Sequence, residues 1–172
     1  MVLYLERSFN RENMEDKNKF FEEVISKYSD MVYRIALNRV GNKETAEDVF
    51  QEVFLSFSKK CPKFSSEEHE KAWFIKVTIN KTKNIVSSKW NKTTTSLEED
   101  IPFETQEKHD IYYLVQDLPR DYRTVIYLFY YEGYKVKEIG DLIGKNENTV
   151  KTWLARARDS LKKKMEGGIE NG

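Results

Sequence analysis

From Phe20 to Ala36 the apolar residues Phe20, Phe21, Val24, Ile25, Tyr28, Met31, Val32, Ile35 and Ala36 recur at spacings of three and four, with no Gly or Pro among them. Side chains three and four apart share one face of an α-helix, whereas a strand would need strict alternation. The segment therefore predicts a helix with one long buried face, and a lone amphipathic helix must find partners to cover that face. With only 3 Pro and 7 Gly in 172 residues, the chain lacks the punctuation that a turn-rich sheet protein requires. The expected fold class is all-α.

Gly41 ends the first pattern and Asn42 is placed to cap a second helix, with Ala46, Val49, Phe50, Val53, Phe54 and Phe57 inward. Glu44, Glu47, Asp48, Gln51 and Glu52 are left on its outer face. After a loop at 61–66, Glu67, Glu68 and Glu70 suit the positive end of a third helix. On that helix Ala72, Ile75, Ile79, Thr82 and Val86 share one side, and Trp73, Lys76, Asn80, Lys83, Asn84 and Ser87 lie on or near another.

Thr, Ser, acids and Pro102 then break the periodicity, which predicts an exposed, flexible linker over 93–109. The chain divides accordingly into an N-terminal tail at 1–17, a helical domain at 18–92, the linker, a second helical domain at 110–166 and a tail at 167–172. In the second domain Ile111, Leu114, Val115 and Leu118 precede Pro119, and Tyr122, Val125, Ile126, Phe129 and Tyr130 come after it at helical spacing up to Gly133. A short helix through Val136, Ile139, Leu142 and Ile143, a break at Gly144 and a longer helix through Val150, Leu154, Ala157 and Leu161 make a helix-turn-helix pattern.

A formal net charge of zero argues at first against a polyanionic partner, but the charge is locally sorted. From Lys71 to Lys92 there are six lysines and no acid, and from Lys145 to Met165 seven basic residues stand against Glu147 and Asp159. A single cysteine, Cys61, excludes an intramolecular disulfide and a multi-cysteine metal site, and fits a reducing compartment. The amino-terminal segment has no apolar run long enough for a signal peptide or a membrane span, so a cytoplasmic location without membrane insertion is expected.

The second helix of a helix-turn-helix lies in the major groove with an apolar stripe behind and polar, basic side chains in front. Asn146 or Asn148 is placed to cap it, and Asn148, Lys151, Thr152 and Ala155 form the outward strip with Arg156 beside it. Asn and Arg pair with adenine and guanine edges, whereas Lys151, Arg158 and Lys162 to Lys164 suit phosphates.

Three segments together resemble the extracytoplasmic-function sigma factors of RNA polymerase, from about Phe20 to Met165. AEDVFQEVFLSF at 46–57 is similar to the family's polymerase-clamp-binding helix, and WFIKVTINKTKNIVSSKW at 73–90 to its promoter-melting helix. LPRDYRTVIYLFYYEGYKVKEIGDLIGKNENTVKTWLARARDSLKKKM at 118–165 resembles its carboxy-terminal DNA-binding domain. The resemblance implies a region 2-like bundle and a region 4-like helix-turn-helix. It assigns Glu47, Asp48, Gln51 and Glu52 to the clamp of core polymerase, and Lys76, Asn80, Lys83 and Asn84 to the minus-ten element, with Lys81 as a further phosphate contact and the loop near 62–70 as the pocket for a flipped nontemplate base. Asn146, Asn148, Thr149, Lys151, Thr152, Arg156 and Arg158 fall to the minus-thirty-five element. Core polymerase, promoter DNA as duplex and as nontemplate single strand, and a membrane-anchored anti-sigma protein are the partners implied. Departures from the family pattern are Trp153 for a basic or smaller polar residue, Asn148 for Gly, Lys135 for a Ser or Thr cap, and Gly140 within a helix, where Gly costs about 1 kcal/mol against Ala.

Two other functions fit the residues less well. A dimeric duplex-binding regulator accounts for 118–165 but not for the Lys/Asn/aromatic helix or the acidic helix before it. A nuclease needs clustered carboxylates for metal or a His-based acid/base pair, yet His69 and His109 are the only histidines, both in loop or linker sequence, and there is no Walker-type phosphate loop. No catalytic residue, metal site or cofactor is therefore expected, and the chain is read as a non-enzyme.

Overall fold

The computed structural model describes the backbone of residues 2–88 and 115–169 and the side chains of residues 15–83, 85 and 115–166. Its helices are α1 (Val2–Val40), α2 (Lys43–Lys60), α3 (Glu67–Ser88), α4 (Arg120–Ile126), α5 (Val136–Ile143) and α6 (Glu147–Ile169), and α4 runs on as a π-helical turn over Tyr127–Tyr131. No strand occurs among the described residues, as an all-α reading requires. The linker expected at 93–109 lies outside the described residues.

Helix ends are set by local chemistry. Gly41 sits at φ 75°, where a side chain is disfavoured, and its N–H donates to the Leu37 carbonyl at 2.9 Å, closing α1. Asn42 then opens α2: its Oδ1 accepts the Thr45 N–H at 2.9 Å. Ser66 does the same for α3, its Oγ accepting the His69 N–H at 3.2 Å, with Glu67, Glu68 and Glu70 in the first turn at the positive pole.

The first three helices pack as a bundle around aromatic rings. Tyr28 stacks on Phe74 with centroids 4.7 Å apart, and Phe57 and Phe54 lie 5.2 and 5.4 Å from Phe74. Val32, Ile35, Val49, Val53, Ile75 and Ile79 fill the gaps and are fully buried. The second unit is smaller and aliphatic, with Val125, Leu128, Ile139, Val150, Leu154 and Ala157 at its centre. α1 also packs on α4 and α3 on α5, so the two units share a seam.

α1 begins at Val2 and so takes in residues before 18, since nothing in its first turns interrupts a helix, and α6 runs to Ile169. Three sequence expectations need correction. Phe20 and Ile25, expected inside, are 50% and 39% exposed because the stripe is wider than the face that α2 and α3 cover. Tyr130 is 56% exposed instead of packed: the π-helical turn, marked by the Glu132 N–H reaching back to the Tyr127 carbonyl at 3.2 Å, rotates the helix face, so Tyr127 and Leu128 turn inward. Gly140 is not merely a weak helix former, since a Cβ there would lie 2.6 Å from the Lys145 carbonyl oxygen. The turn between α5 and α6 closes on that glycine, with the Lys145 N–H donating to the Gly140 carbonyl at 2.9 Å.

Candidate nucleic-acid interface

α3 separates its two faces cleanly. Ile75, Thr78, Ile79 and Thr82 are buried, and Lys76, Asn80 and Lys83 stand exposed one turn apart on the other side. The buried threonine hydroxyls are satisfied within the helix: Thr78 donates to the Phe74 carbonyl at 2.7 Å and Thr82 to the Ile79 carbonyl at 2.8 Å. The side chain of Asn84 lies outside the described residues. Lys81, the further phosphate candidate, is instead partnered by Glu52 of α2 at 3.0 Å, so it joins two helices.

Beside this strip the 61–66 loop carries an aromatic shelf. Phe64 lies parallel to Phe57 at 6.5 Å and meets the edges of Trp73 at 6.0 Å and His69 at 5.5 Å. The Ser65 N–H points at His69 Nδ1, 3.4 Å away, an arrangement that needs Nδ1 unprotonated. Trp73 is half-buried among Phe57, Phe64 and Phe74, which makes it first a packing residue.

On α2, Glu47, Asp48, Gln51 and Glu52 are all exposed and lie along one edge of the helix while Ala46, Val49 and Val53 are buried behind them. Leu55, 55% exposed, continues that edge by one turn and was missed in the sequence. Its only signal was a leucine out of phase with the buried stripe.

On α6 the first turn is capped by Asn146, whose Oδ1 accepts the Thr149 N–H at 2.8 Å. That choice between Asn146 and Asn148 leaves Asn148 exposed with Lys151, Thr152, Ala155 and Arg156, while Thr149 is half-buried. Lys151 pairs with Glu147 at 2.7 Å, and this bond holds the Glu147 carboxyl below its ordinary range. Both groups are exposed, so the pair is weak and leaves the ammonium accessible. Arg158 is different: its Nε donates to the Tyr130 hydroxyl at 2.8 Å and its guanidinium lies 5.6 Å from the Phe129 ring centroid. It braces α6 against the π-helical turn and stays exposed on the Lys151 side of the helix. Lys164 is likewise tied to Asp117 at 2.7 Å. Trp153 packs 6.2 Å from Tyr122, with Lys145 over its ring at 5.9 Å, which explains a large aromatic in place of a polar residue.

No group of three or more His, Cys, Asp or Glu fit to hold a metal occurs among the described residues, and no described helix is long and apolar enough to cross a membrane.

The geometry is thus two basic, amide-bearing strips on separate helices and one acidic strip between aromatic packing. The sigma-70 region 2 family model matches residues 24–92, and the sigma-70 region 4 model matches residues 108–161. RNA polymerase sigma factor SigV of Bacillus subtilis strain 168 is 32% identical over 131 residues, covering 73% of this chain and 78% of that protein. The chain belongs to the extracytoplasmic-function sigma factor family. Another relative is the ECF RNA polymerase sigma factor SigW of the same strain, 25% identical over 165 residues, or 84% of this chain and 88% of the relative. Solved structures agree on the fold. The sigma factor RpoE of Bartonella quintana, in complex with the anti-sigma factor NepR, superposes with a TM-score of 0.67 at 18% identity over 86% of this chain and 98% of that one. CnrH, in complex with the cytosolic domain of CnrY, gives 0.61 at 16% identity over 87% and 90%. The sigma factor directs transcription initiation, and the two matched regions coincide with the two helical units.

Proposed function

We propose that the three exposed strips divide the work of initiation. Glu47, Asp48, Gln51 and Glu52, with Leu55 as an apolar anchor at their end, meet a basic surface on the clamp of core polymerase, where charge complementarity sets orientation and association rate more than affinity. Lys76, Asn80, Lys83 and Asn84 hold the opened minus-ten strand, and the shelf of Phe64, His69 and Trp73 offers ring surface to an unstacked base. Opening the duplex costs a few kcal/mol per unstacked step, which stacking and a basic groove for the freed strand offset. Asn148, Lys151, Thr152 and Arg156, oriented by the Asn146 cap and the half-buried Thr149, read the minus-thirty-five duplex. The functional units are residues 18–92 and 110–166. A sigma factor of this kind needs no catalytic residue of its own, since capture of the strand replaces chemistry.

The observation that carries this reading is the coexistence, in one chain, of two exposed Lys/Asn-bearing strips on different helices, each backed by a buried face. Both solved neighbours are in complexes, one with an anti-sigma factor and one with the cytosolic domain of CnrY. That supports an anti-sigma partner here; its membrane anchor and the chain's cytoplasmic location are part of the same proposal.

Run-off transcription with core polymerase tests the assignment: transcripts start only when the sigma factor is added. The double variant Asn80→Ala, Asn84→Ala retains core binding but loses permanganate reactivity at the minus-ten element by tenfold or more. Unchanged reactivity in that variant would remove the two amides from strand capture.

A further inference from the structure

The polar strip of α6 is flanked differently on its two sides. On a helix of about 3.6 residues per turn, Lys151 and Arg158 fall along one edge of the strip, and Thr149, Arg156 and Trp153 along the other. A helix lying in the major groove meets a row of phosphates on each side. The first edge carries two cations, whereas the second carries Arg156, given to base reading above, next to a neutral ring. The cation nearest that ring does not belong to α6. Lys145, in the turn before the helix, sets its ammonium 5.9 Å from the Trp153 ring centroid.

Each part of this arrangement is held from behind. Trp153 is half-buried against Tyr122 of α4, with ring centroids 6.2 Å apart. The Lys145 N–H donates to the Gly140 carbonyl at 2.9 Å, which ties the backbone of the turn to α5. The Lys145 side chain stays exposed. Its ammonium also differs from others of the same domain: Lys151, Lys162 and Lys164 stand 2.7, 3.7 and 2.7 Å from carboxylates, and among the described residues no carboxylate pairs with Lys145. A carboxylate neutralises an ammonium and competes with a phosphate for it. An aromatic face attracts the ammonium through its quadrupole without cancelling the charge, and leaves donors on the far side free. A lysine already laid on a ring has also given up part of the rotamer freedom that an anion would otherwise cost it.

We propose that Lys145 binds a backbone phosphate on the Arg156 side of the minus-thirty-five major groove, and that Trp153 is the positioning residue that aims it there. The inference rests on the assignment of α6 to that duplex. The contact carries no base information; it fixes how the strip sits between the two phosphate rows, while Asn148 and Arg156 read the bases.

The test is fluorescence anisotropy with the sigma factor bound to core polymerase, over a salt series. Two short duplexes serve as probes: one carries the minus-thirty-five segment of a promoter mapped by run-off transcription, and the other is a scramble of it. Lys145→Gln, at an exposed turn, should lower the slope of log affinity against log salt by about 0.9, one phosphate contact. Between 50 and 200 mM salt that removes roughly threefold of the salt sensitivity, by the same factor on both duplexes. Lys145→Arg should restore the slope. Trp153→Leu should weaken binding by about twofold to fivefold in the wild-type background and not further in Lys145→Gln, and Trp153→Phe, which keeps a ring, should recover most of the loss. An unchanged slope in Lys145→Gln would overturn the phosphate contact. An equal loss from Trp153→Leu with and without Lys145 would reduce Trp153 to packing and overturn its positioning role. Should Trp153→Leu fail to fold, Trp153→Phe and the Lys145 slope still decide. No preference of the wild-type holoenzyme for the mapped duplex over the scramble would instead overturn the strip assignment, and the slope on the scramble would still report on Lys145.

Discussion

The two halves of the molecule each present polar helix edges, and they do so over different cores. The first bundle is held by large rings: Phe57 and Phe74 are fully buried, Tyr28 and Phe54 nearly so, and their contacts span all three helices. The second is held by small aliphatic side chains and by turns, with Gly140 and Gly144 at the approach of α5 to α6 and Asn146 at the start of the reading helix. A core of interlocking rings tolerates changes on its surface, because few contacts depend on the exact course of the loops. A small core with close backbone approaches is set by its turns.

The largest effect should come from Phe74. It lies within 5.5 Å, ring centroid to centroid, of Tyr28, Phe54, Phe57 and Trp73, so Phe74→Ala opens a cavity that all three helices of the bundle line. The expected loss is about 3–5 kcal/mol in urea unfolding. Binding of a minus-thirty-five duplex should survive at urea concentrations where core polymerase binding has gone. Simultaneous loss of both would show that the seam, and not the separate cores, governs stability.

Gly140→Ala reverses the comparison. Alanine gains about 1 kcal/mol over glycine in a helix interior. The Cβ meets a backbone carbonyl at 2.6 Å, however, and the turn has no flexible side chain there to yield. Overpacking of that kind costs about 1–3 kcal/mol and here outweighs the propensity gain. The expected outcome is weaker duplex binding and earlier unfolding of the helix-turn-helix, with polymerase binding by the first bundle unaffected. An Ala variant more stable than wild type would mean that the α5–α6 approach relaxes without loss.

Periodicity made the helices and the outward strips legible, because burial on one side of a helix writes a three-and-four spacing into the sequence. Glu47, Asp48, Gln51 and Glu52 on α2, and Lys76 and Asn80 on α3, are exposed as their spacing required. Spacing could not show anything decided between elements. Arg39 has the sequence context of an ordinary surface base, yet two threonines more than forty residues away in sequence take it into the interior. Arg158 reads as an exposed base in sequence, and only the π-helical turn shows that Tyr130 lies beneath it. One inserted residue in a turn shifts every later side chain, and no local pattern announces it.

The smallest expected effect is the most discriminating. Asn42 and Asn146 cap α2 and α6 with the same bond, Oδ1 accepting the N–H three residues on, at 2.9 and 2.8 Å. Replacing either by Ala should cost about 1 kcal/mol of stability. Replacing either by Asp should restore it, since a carboxylate also accepts that N–H and complements the positive end of the helix. Function should then separate the two sites. Asn42→Asp lies at the acidic strip and should leave polymerase and duplex binding near wild type. Asn146→Asp places a negative charge beside Asn148 and Lys151, where phosphates must approach, so duplex binding should fall several-fold at full thermal stability and fall less as salt is raised. Equal duplex affinity for Asn146→Asp and wild type would remove the first turn of α6 from the DNA interface and leave Asn146 a cap alone.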